Sequence, residues 1–419
     1  MRRFLALFLV VGFMLGVAFS ARAAVQHVRI GGELRTRVYL TRYLQDLGKT
    51  DEESFYFMQR SRLTTEVDLT EMVMGVATVE AKGMWGSQDQ DREWNVDLAE
   101  AYIQLSEIFY SPITLKLGRQ YLHYGRGFLI SSREWEYNFD AIRTIFDLYP
   151  WTVDLFFSRL VETDPDSLKA SDDKDLFGVN LNYSSEFWTL EGYIFGIRDA
   201  AAEASGKDKD APVTIGFRGD ASPVQALDVW GEVSYQMGNY EPLGGESEDI
   251  RALAFDVGGV YIFDVSWEPA LALSYIFASG DKPDTDKREG FNSLFNYNYY
   301  GYAFSPRLSN IGIVNAQLSF IPSPSTLLIF DLFLYQQDQK TAMVMGDPNK
   351  DNGGVMAMTT GEDKDLGMEM DAIFEYNYSE DLSTRLVGAW FKPGDAYLTA
   401  LNPDPKDAVE ARLEFKLTF

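Results

Sequence analysis

Only two histidines, His27 and His123, and no cysteine occur in the 419 residues. Thiol nucleophiles, disulfide frameworks, Cys-ligated zinc and multi-histidine metal centres are thereby excluded, and no metal or cofactor is expected. Hydrolytic chemistry needs a positioned base, most often His. His27 lies close to the N-terminus, and His123 stands beside Tyr124 with no serine nucleophile motif around it. No catalytic residue is expected from either. The expressive chemistry is charge: 63 Asp and Glu against 37 Lys and Arg give a formal net charge of -26. A chain this acidic does not take nucleic acid through its net field. Within it, Arg35, Arg37, Arg60 and Arg62 are closely grouped. Arginine forks bind carboxylates in bidentate fashion and stay charged at any working pH, so such a patch could select or guide an anionic solute.

The N-terminus bears on the compartment. Arg2 and Arg3 precede an apolar run from Phe4 to Phe19, and Ala21-Arg22-Ala23 supplies a small-x-small cleavage site. This is the layout of a secretory signal peptide over residues 1–23. No later stretch is long and apolar enough for a transmembrane helix, so the remaining 24–419, if it sits in a membrane, must be a closed β-barrel.

Period two runs through that remainder. From Val409 to Phe419 every odd position is apolar, and Glu410, Arg412, Glu414 and Lys416 alternate with them. Alternation over about ten residues suits a bilayer-spanning strand, whereas a soluble strand usually has about five or six. The same pattern predicts strands at 27–44, 55–69, 72–86, 96–107, 113–122, 139–149, 151–162, 175–185, 187–198, 212–221, 226–239, 250–263, 266–279, 309–321, 326–338, 366–379, 382–393 and 408–419. Turn-forming links such as Thr70-Glu71, Tyr149-Pro150 and Glu380-Asp381 alternate with long polar links, the longest at 280–308 and 339–365. The expected fold is all-β: an eighteen-stranded antiparallel transmembrane barrel with short periplasmic turns and long extracellular loops.

Parity then assigns the lumen. If Glu410, Arg412, Glu414 and Lys416 face inward, so do Glu33, Arg35, Arg37 and Tyr39, followed by Arg60, Arg62, Thr64, Glu66 and Asp68. Thr78, Glu80 and Lys82, then Glu100, Tyr102 and Gln104, then Lys116 and Gln120, and finally Glu369 and Asp371, continue the set. An Arg or Lys in lipid costs about 2 to 4 kcal/mol at the midplane, so these charges turn inward whatever they do there. Facing Arg and Glu ladders also brace any wide barrel wall, and Glu33, Glu66, Glu80 and Glu100 can neutralise much of the arginine patch. The acid surplus gathers in long links, notably Glu162 to Asp175, Asp46 with Asp51 to Glu53, and Gly280 to Gly290. Asp347 to Gly353 and Asp164-Pro165-Asp166 have oxygen-rich composition suited to divalent cations, without a full ligand spacing.

Three ordered segments carry a resemblance. The first is Leu115-Lys116-Leu117-Gly118-Arg119-Gln120, Tyr124-Gly125-Arg126-Gly127, Trp135 and Phe139-Asp140-Ala141-Ile142-Arg143. The second is Gly290-Phe291-Asn292-Ser293-Leu294-Phe295, Tyr299-Tyr300-Gly301 and Leu308-Ser309-Asn310. The third is Gly367 to Asp371 with Lys392-Pro393-Gly394-Asp395. Together they resemble the alginate export family of Gram-negative outer-membrane barrels, with Ala141 where Gly is commoner, and Ser293 and Asn296 in place of Pro. The resemblance implies eighteen strands and passive movement of a polysaccharide past an arginine-rich constriction. Gly118, Arg119, Gln120, Gly125, Asp140 and Arg143 are the motif positions. Arg119 shares parity with Leu117, so it faces lipid unless the strand ends or bulges near Gly118. It is expected to turn in at the loop mouth and pair with Asp140. The 123–138 loop is expected to be able to fold into the lumen.

The functional expectation is an outer-membrane channel for hydrophilic solutes, with an anionic saccharide first. The residues lining its path are Arg35, Arg37, Arg60, Arg62, Lys82, Glu100, Lys116 and Arg412. A general or sugar-selective porin is one alternative, left open by Tyr39, Tyr102 and the Tyr297-Tyr299-Tyr300-Tyr302 cluster, which equally fits interfacial girdle or loop packing. An outer-membrane barrel enzyme is the second, because a lumen this charged always offers a carboxylate pair. A TonB-dependent transporter needs a plug domain, for which alternation beginning directly after the leader leaves no room. Lipid and lipopolysaccharide around the barrel, and divalent cations at the acidic loops, complete the expected partners.

Overall fold

The structure, a computed structural model, describes residues 25–419 apart from 45–46, 48–52, 87–93, 133–136, 163–172, 203–205, 207, 284, 342, 346–355 and 400–401. The leader, Asp46, Asp51, Glu52, Trp135, Asp164 to Asp166 and the Asp347 to Gly353 segment lie outside the described residues.

Eighteen long strands form one closed antiparallel wall. They are β1 (His27–Arg42), β2 (Glu53–Thr70), β3 (Val73–Met84), β4 (Asn95–Leu105), β5 (Ile113–Gln120), β6 (Phe139–Leu148), β7 (Trp151–Val161), β8 (Lys174–Ser184) and β9 (Trp188–Asp199). The circuit continues with β10 (Lys209–Val224), β11 (Leu227–Glu241), β12 (Glu248–Ile262), β13 (Ala270–Ala278), β14 (Ile311–Ser323), β15 (Thr326–Gln336), β16 (Asp365–Asn377), β17 (Leu382–Pro393) and β18 (Ala408–Thr418). Each predicted strand has its counterpart, displaced by a few residues. The largest displacement opens β13, which starts at Ala270 rather than 266 because Trp267 and Glu268 take positive φ in the preceding turn. Two small additions sit in the long links: Lys287–Arg288, parallel to β12, and a hairpin of Met343–Met345 with Met356–Met358.

The wall closes where β1 pairs with β18, from Glu33 opposite Thr418 to Arg42 opposite Val409. Closure gives every strand two neighbours, the condition for a sheet in lipid, where an open edge strands N–H and C=O groups without water. The terminal residue joins the seam. Gly32 N–H donates to the Phe419 carbonyl at 2.8 Å, and Phe419 N–H donates back to the Gly32 carbonyl at 3.1 Å. The Phe419 ring lies where a Gly32 side chain would project, with the Arg62 carbonyl on the other side.

Alternation around the wall is as parity requires. Leu34, Leu40, Ile142, Ile194, Phe217, Leu273 and Phe330 project outward, while Glu33, Arg35, Arg37, Arg60, Arg62, Glu410, Arg412 and Glu414 are buried inside. At the short-turn end exposed aromatics gather, among them Phe109, Tyr110, Tyr149, Phe187, Trp267 and Tyr378, the composition of an interfacial belt. The apolar core is inside the barrel, where inward wall residues such as Phe156, Phe195, Tyr335 and Phe391 join Leu122, Phe128, Leu129, Ile130, Phe291, Tyr300, Phe304 and Tyr397 of the long links.

Gly32→Val is expected to destabilise the seam by about 1 to 3 kcal/mol through overpacking against Phe419. The measurement is the denaturant midpoint of the refolded barrel, followed by its heat-modifiable gel mobility.

Candidate functional site

The site is the lumen, and two inward-folded links shape it. The first, residues 121–138, leaves β5 and rejoins the wall at β6. The second, residues 279–310, crosses from β13 to β14. They meet inside the barrel through backbone and side-chain bonds. Ser131 N–H donates to the Phe295 carbonyl at 3.1 Å, and Phe295 N–H to the Leu129 carbonyl at 2.9 Å. Asn296 Nδ2 donates to the carbonyls of Phe128 and Gly127 at 2.9 and 3.2 Å, and Asn298 Nδ2 to that of Arg126 at 3.2 Å. Phe139 sets its ring edge-on to Phe295 with 5.1 Å between centroids. The tyrosine cluster is therefore loop packing inside the lumen, not an interfacial girdle.

The second link is fastened to the wall by β15 and β16. The Glu369 carboxylate accepts Ala303 N–H at 2.7 Å and Phe304 N–H at 2.8 Å, and Tyr335 OH donates to the Tyr300 carbonyl at 2.7 Å. Gly301 sits between these groups with φ of 106°, and a side chain there would collide with Tyr335 and Glu369. Opposite, the Arg412 guanidinium lies 4.8 Å from the Tyr39 ring and 5.1 Å from the Tyr302 ring, and Arg385 Nη2 donates to Tyr302 OH at 2.6 Å. Burial pushes the phenols of Tyr300 and Tyr302 up, the latter to about 12, so both keep their protons at neutral pH.

The arginines singled out in the sequence are gathered as neighbours on β18, β1 and β2, each seated against acids. Arg37 pairs with Glu414, from which Arg35 lies 4.0 Å away. Arg60 donates to Glu33 at 2.7 and 3.1 Å. Arg62 lies 3.5 Å from Glu80 and donates to Tyr121 OH at 2.7 Å. Arg412 pairs with Glu410 at 2.7 Å. They form the inner surface of the wall as an ion-pair ladder. Among cations turned to water are Arg29, Lys82 and Lys416. Glu100 accepts Thr78 Oγ1 at 3.0 Å, and Lys116 Nζ lies 5.1 Å from the Tyr102 ring centroid.

The motif residues divide. Arg143 points inward and binds Asp154 at 2.5 and 2.8 Å, and Tyr124 OH donates to the same carboxylate at 3.1 Å. Gln120 is buried and donates to the Ala141 and Gly118 carbonyls at 3.1 and 3.2 Å. Gly118, at positive φ within β5, leaves no room for a side chain beside the Ala101 carbonyl, and Gly125 fits beside Arg218, Glu191 and Glu232. Arg119 does pair with Asp140, at 2.7 and 2.8 Å. It does so on the outer face and does not turn in, because the β5–β6 register runs unbroken through the pair.

Several lumen groups were not singled out from the sequence. Asp154, Glu191, Asp220, Glu232, Asp256 and Asp331 line the sector from β7 to β15, with Arg218 among them, 2.9 Å from Glu191. Extending the same parity beyond β5 identifies each one. On the first link Arg126 stands 4.2 Å above the Trp230 ring and 3.7 Å from Asp220, with its side chain 41% exposed. The lumen thus has an arginine-lined sector across from a carboxylate-rich one, with two interlocked links between them.

A family model described as alginate export matches residues 26–408. No curated protein matches the chain in sequence. Solved structures share the fold at low identity. Acinetobacter baumannii OccAB3 aligns with TM-score 0.61 at 11% identity, covering 93% of this chain and 99% of its own. Pseudomonas aeruginosa OccK11 (OpdR) aligns with TM-score 0.56 at 14% identity over 93% and 96%. Pseudomonas aeruginosa OccK2 (OpdF), solved in complex with glucuronate, aligns with TM-score 0.58 at 11% identity over 94% and 98%.

Glu369→Ala leaves the Ala303 and Phe304 amides without their acceptor, at a cost of about 1 to 3 kcal/mol each. The expected outcome is a loosened second link, read as larger and flickering single-channel currents in a planar bilayer. A trace identical to that of the parent protein would mean the link is held elsewhere.

Proposed function

Because the chain belongs to the alginate export family of outer-membrane channels, we propose that its solute is an anionic polysaccharide or oligosaccharide, which diffuses passively through the lumen with no catalytic step. The observation that carries this reading is the 41% exposed Arg126 guanidinium, which an inward link holds inside the lumen against Asp220 and Trp230 of the carboxylate-rich sector. A uronate chain presents one carboxylate per sugar. Guanidinium groups meet each carboxylate with two parallel hydrogen bonds, while facing acids stop the chain from settling too tightly. Arg29, Arg62 and Glu33 with Thr64 and Glu66 line a polar recess beside the seam, where a charged sugar can keep its hydrogen bonds. The glucuronate held by OccK2 (OpdF) supports a uronate, since that protein shares the barrel architecture.

A second reading, a porin for neutral sugars, draws on Trp230, which shares a recess with Arg126, Asp220 and Asp228. Aromatic faces take the apolar faces of sugar rings and need no charge on the solute.

The protein reconstituted in planar bilayers under a KCl gradient, with oligouronates added to either side, distinguishes the two. Anion preference and block by oligouronates are expected. Replacing Arg29 and Arg126 together by Gln is expected to weaken the block by about tenfold per lost ion contact and to shift the reversal potential toward cation preference. Block by neutral oligosaccharides alone would establish the second reading instead.

A further inference from the structure

The outer wall carries a feature that passage through the lumen does not require. At the long-loop end of β5 to β9, five outward residues stand directly opposite one another. Arg119 faces Asp140, Asp140 faces Arg159, Arg159 faces Asp175, and Asp175 faces Arg198. Signs alternate along the row. Arg119 grips Asp140 with a two-pronged fork, Arg159 binds Asp175 at 2.6 Å, and Arg198 lies 3.8 Å from Asp175. Asp173 and Glu162 also crowd onto Arg159, so the middle cation is saturated with carboxylates.

The row lies on the lipid side. One step nearer the short turns, on the same faces of β5 to β8, project Leu117, Ile142, Phe157 and Phe177, all exposed. An ionised Arg or Lys costs about 2 to 4 kcal/mol at the membrane midplane and about 0 to 1 kcal/mol near the interface. The row therefore marks the border where the apolar band meets the outer-leaflet headgroups. Elsewhere on the circumference the outer face at this end carries Leu40, Phe55, Val314 and Leu334, with isolated ion pairs such as Lys209–Glu241. The outward ion pairs Arg42–Glu53 and Arg251–Asp249 stand apart from the row. The row begins and ends on arginine, and those two end side chains are 36% and 52% exposed.

We propose that this row docks phosphorylated lipid headgroups of the outer leaflet. Arg119 and Arg198 present guanidinium edges to lipid phosphate, and Asp140 and Asp175 hold them in orientation. Guanidinium suits this role because it is always charged, weakly hydrated, and matches phosphate oxygens in pairs. The inference concerns the lipid face and stands whichever solute crosses the lumen.

The test uses the whole mature chain in nanodiscs containing either bis-phosphorylated lipid A or the same lipid A stripped of its phosphates. Retained lipid is counted by native mass spectrometry. The phosphorylated form is expected to be retained about tenfold better, R119Q/R198Q to lose that preference, and R251Q to keep it. Equal retention of the two lipids by the parent protein overturns the proposal, as does a preference that survives in R119Q/R198Q. Should the double variant fail to fold, the comparison of the two lipids on the parent protein still decides.

Discussion

In hydrocarbon each backbone amide and carbonyl must be paired within the protein, and the seam between β1 and β18 is where this chain completes that pairing. Once those strands are in register, Arg35 lies opposite Lys416 on one side and Arg60 on the other. Side-chain direction around the circuit follows from the same register, because a slip of one residue would turn Arg35 and Arg37 toward lipid. Lumen charge is thus partly a product of closure. Along the apolar band arginines, lysines and acids lie inside because the outer face there cannot hold them, and their mutual pairing makes a dense collection of charge compatible with a stable wall.

The two inward links use that charge twice. Tyr124 donates a hydrogen bond to Asp154, Tyr302 accepts one from Arg385, and Arg126 lies over the Trp230 ring, all three wall groups that would otherwise face water. Glu369 likewise holds two loop amides. The narrowing is built from polar attachments at its edges and an apolar join at its centre, where Phe139 and Phe295 meet. Removing one attachment leaves the centre in place, which suits a passage that must stay narrow without being sealed by a single contact.

The wall is the most legible part of the sequence. Val409 to Phe419 declares its two faces residue by residue, and the same reading locates all eighteen strands, since membrane spans demand long uninterrupted alternation. The loops are less legible. Leu122, Phe128 and Phe304 follow no period, and nothing local to them says that they are buried inside the barrel, Phe128 near Phe291 and Phe304 stacked on Phe391. Arg119 is half legible: its partner Asp140 follows from the motif, but its side chain keeps the outward parity where a turn inward is expected. The arginine cluster is evident in the sequence, while its saturation by Glu33, Glu80, Glu410 and Glu414 depends on register between strands far apart in the chain. Asp154 and Glu232 obey the same alternation and need only its extension around the circuit.

Arg119 and Asp140 also bracket the first inward link, 21 positions apart in sequence and adjacent in space. A free segment of that length surrenders chain entropy when its ends are brought together, by an amount that grows only slowly with length. Here the ends are already joined by the β5–β6 ladder and by the arginine fork above it. The segment enters the lumen as a loop whose closure the wall has settled beforehand, so the contacts made by Tyr124, Arg126 and Phe128 need only offset the ordering of what lies between.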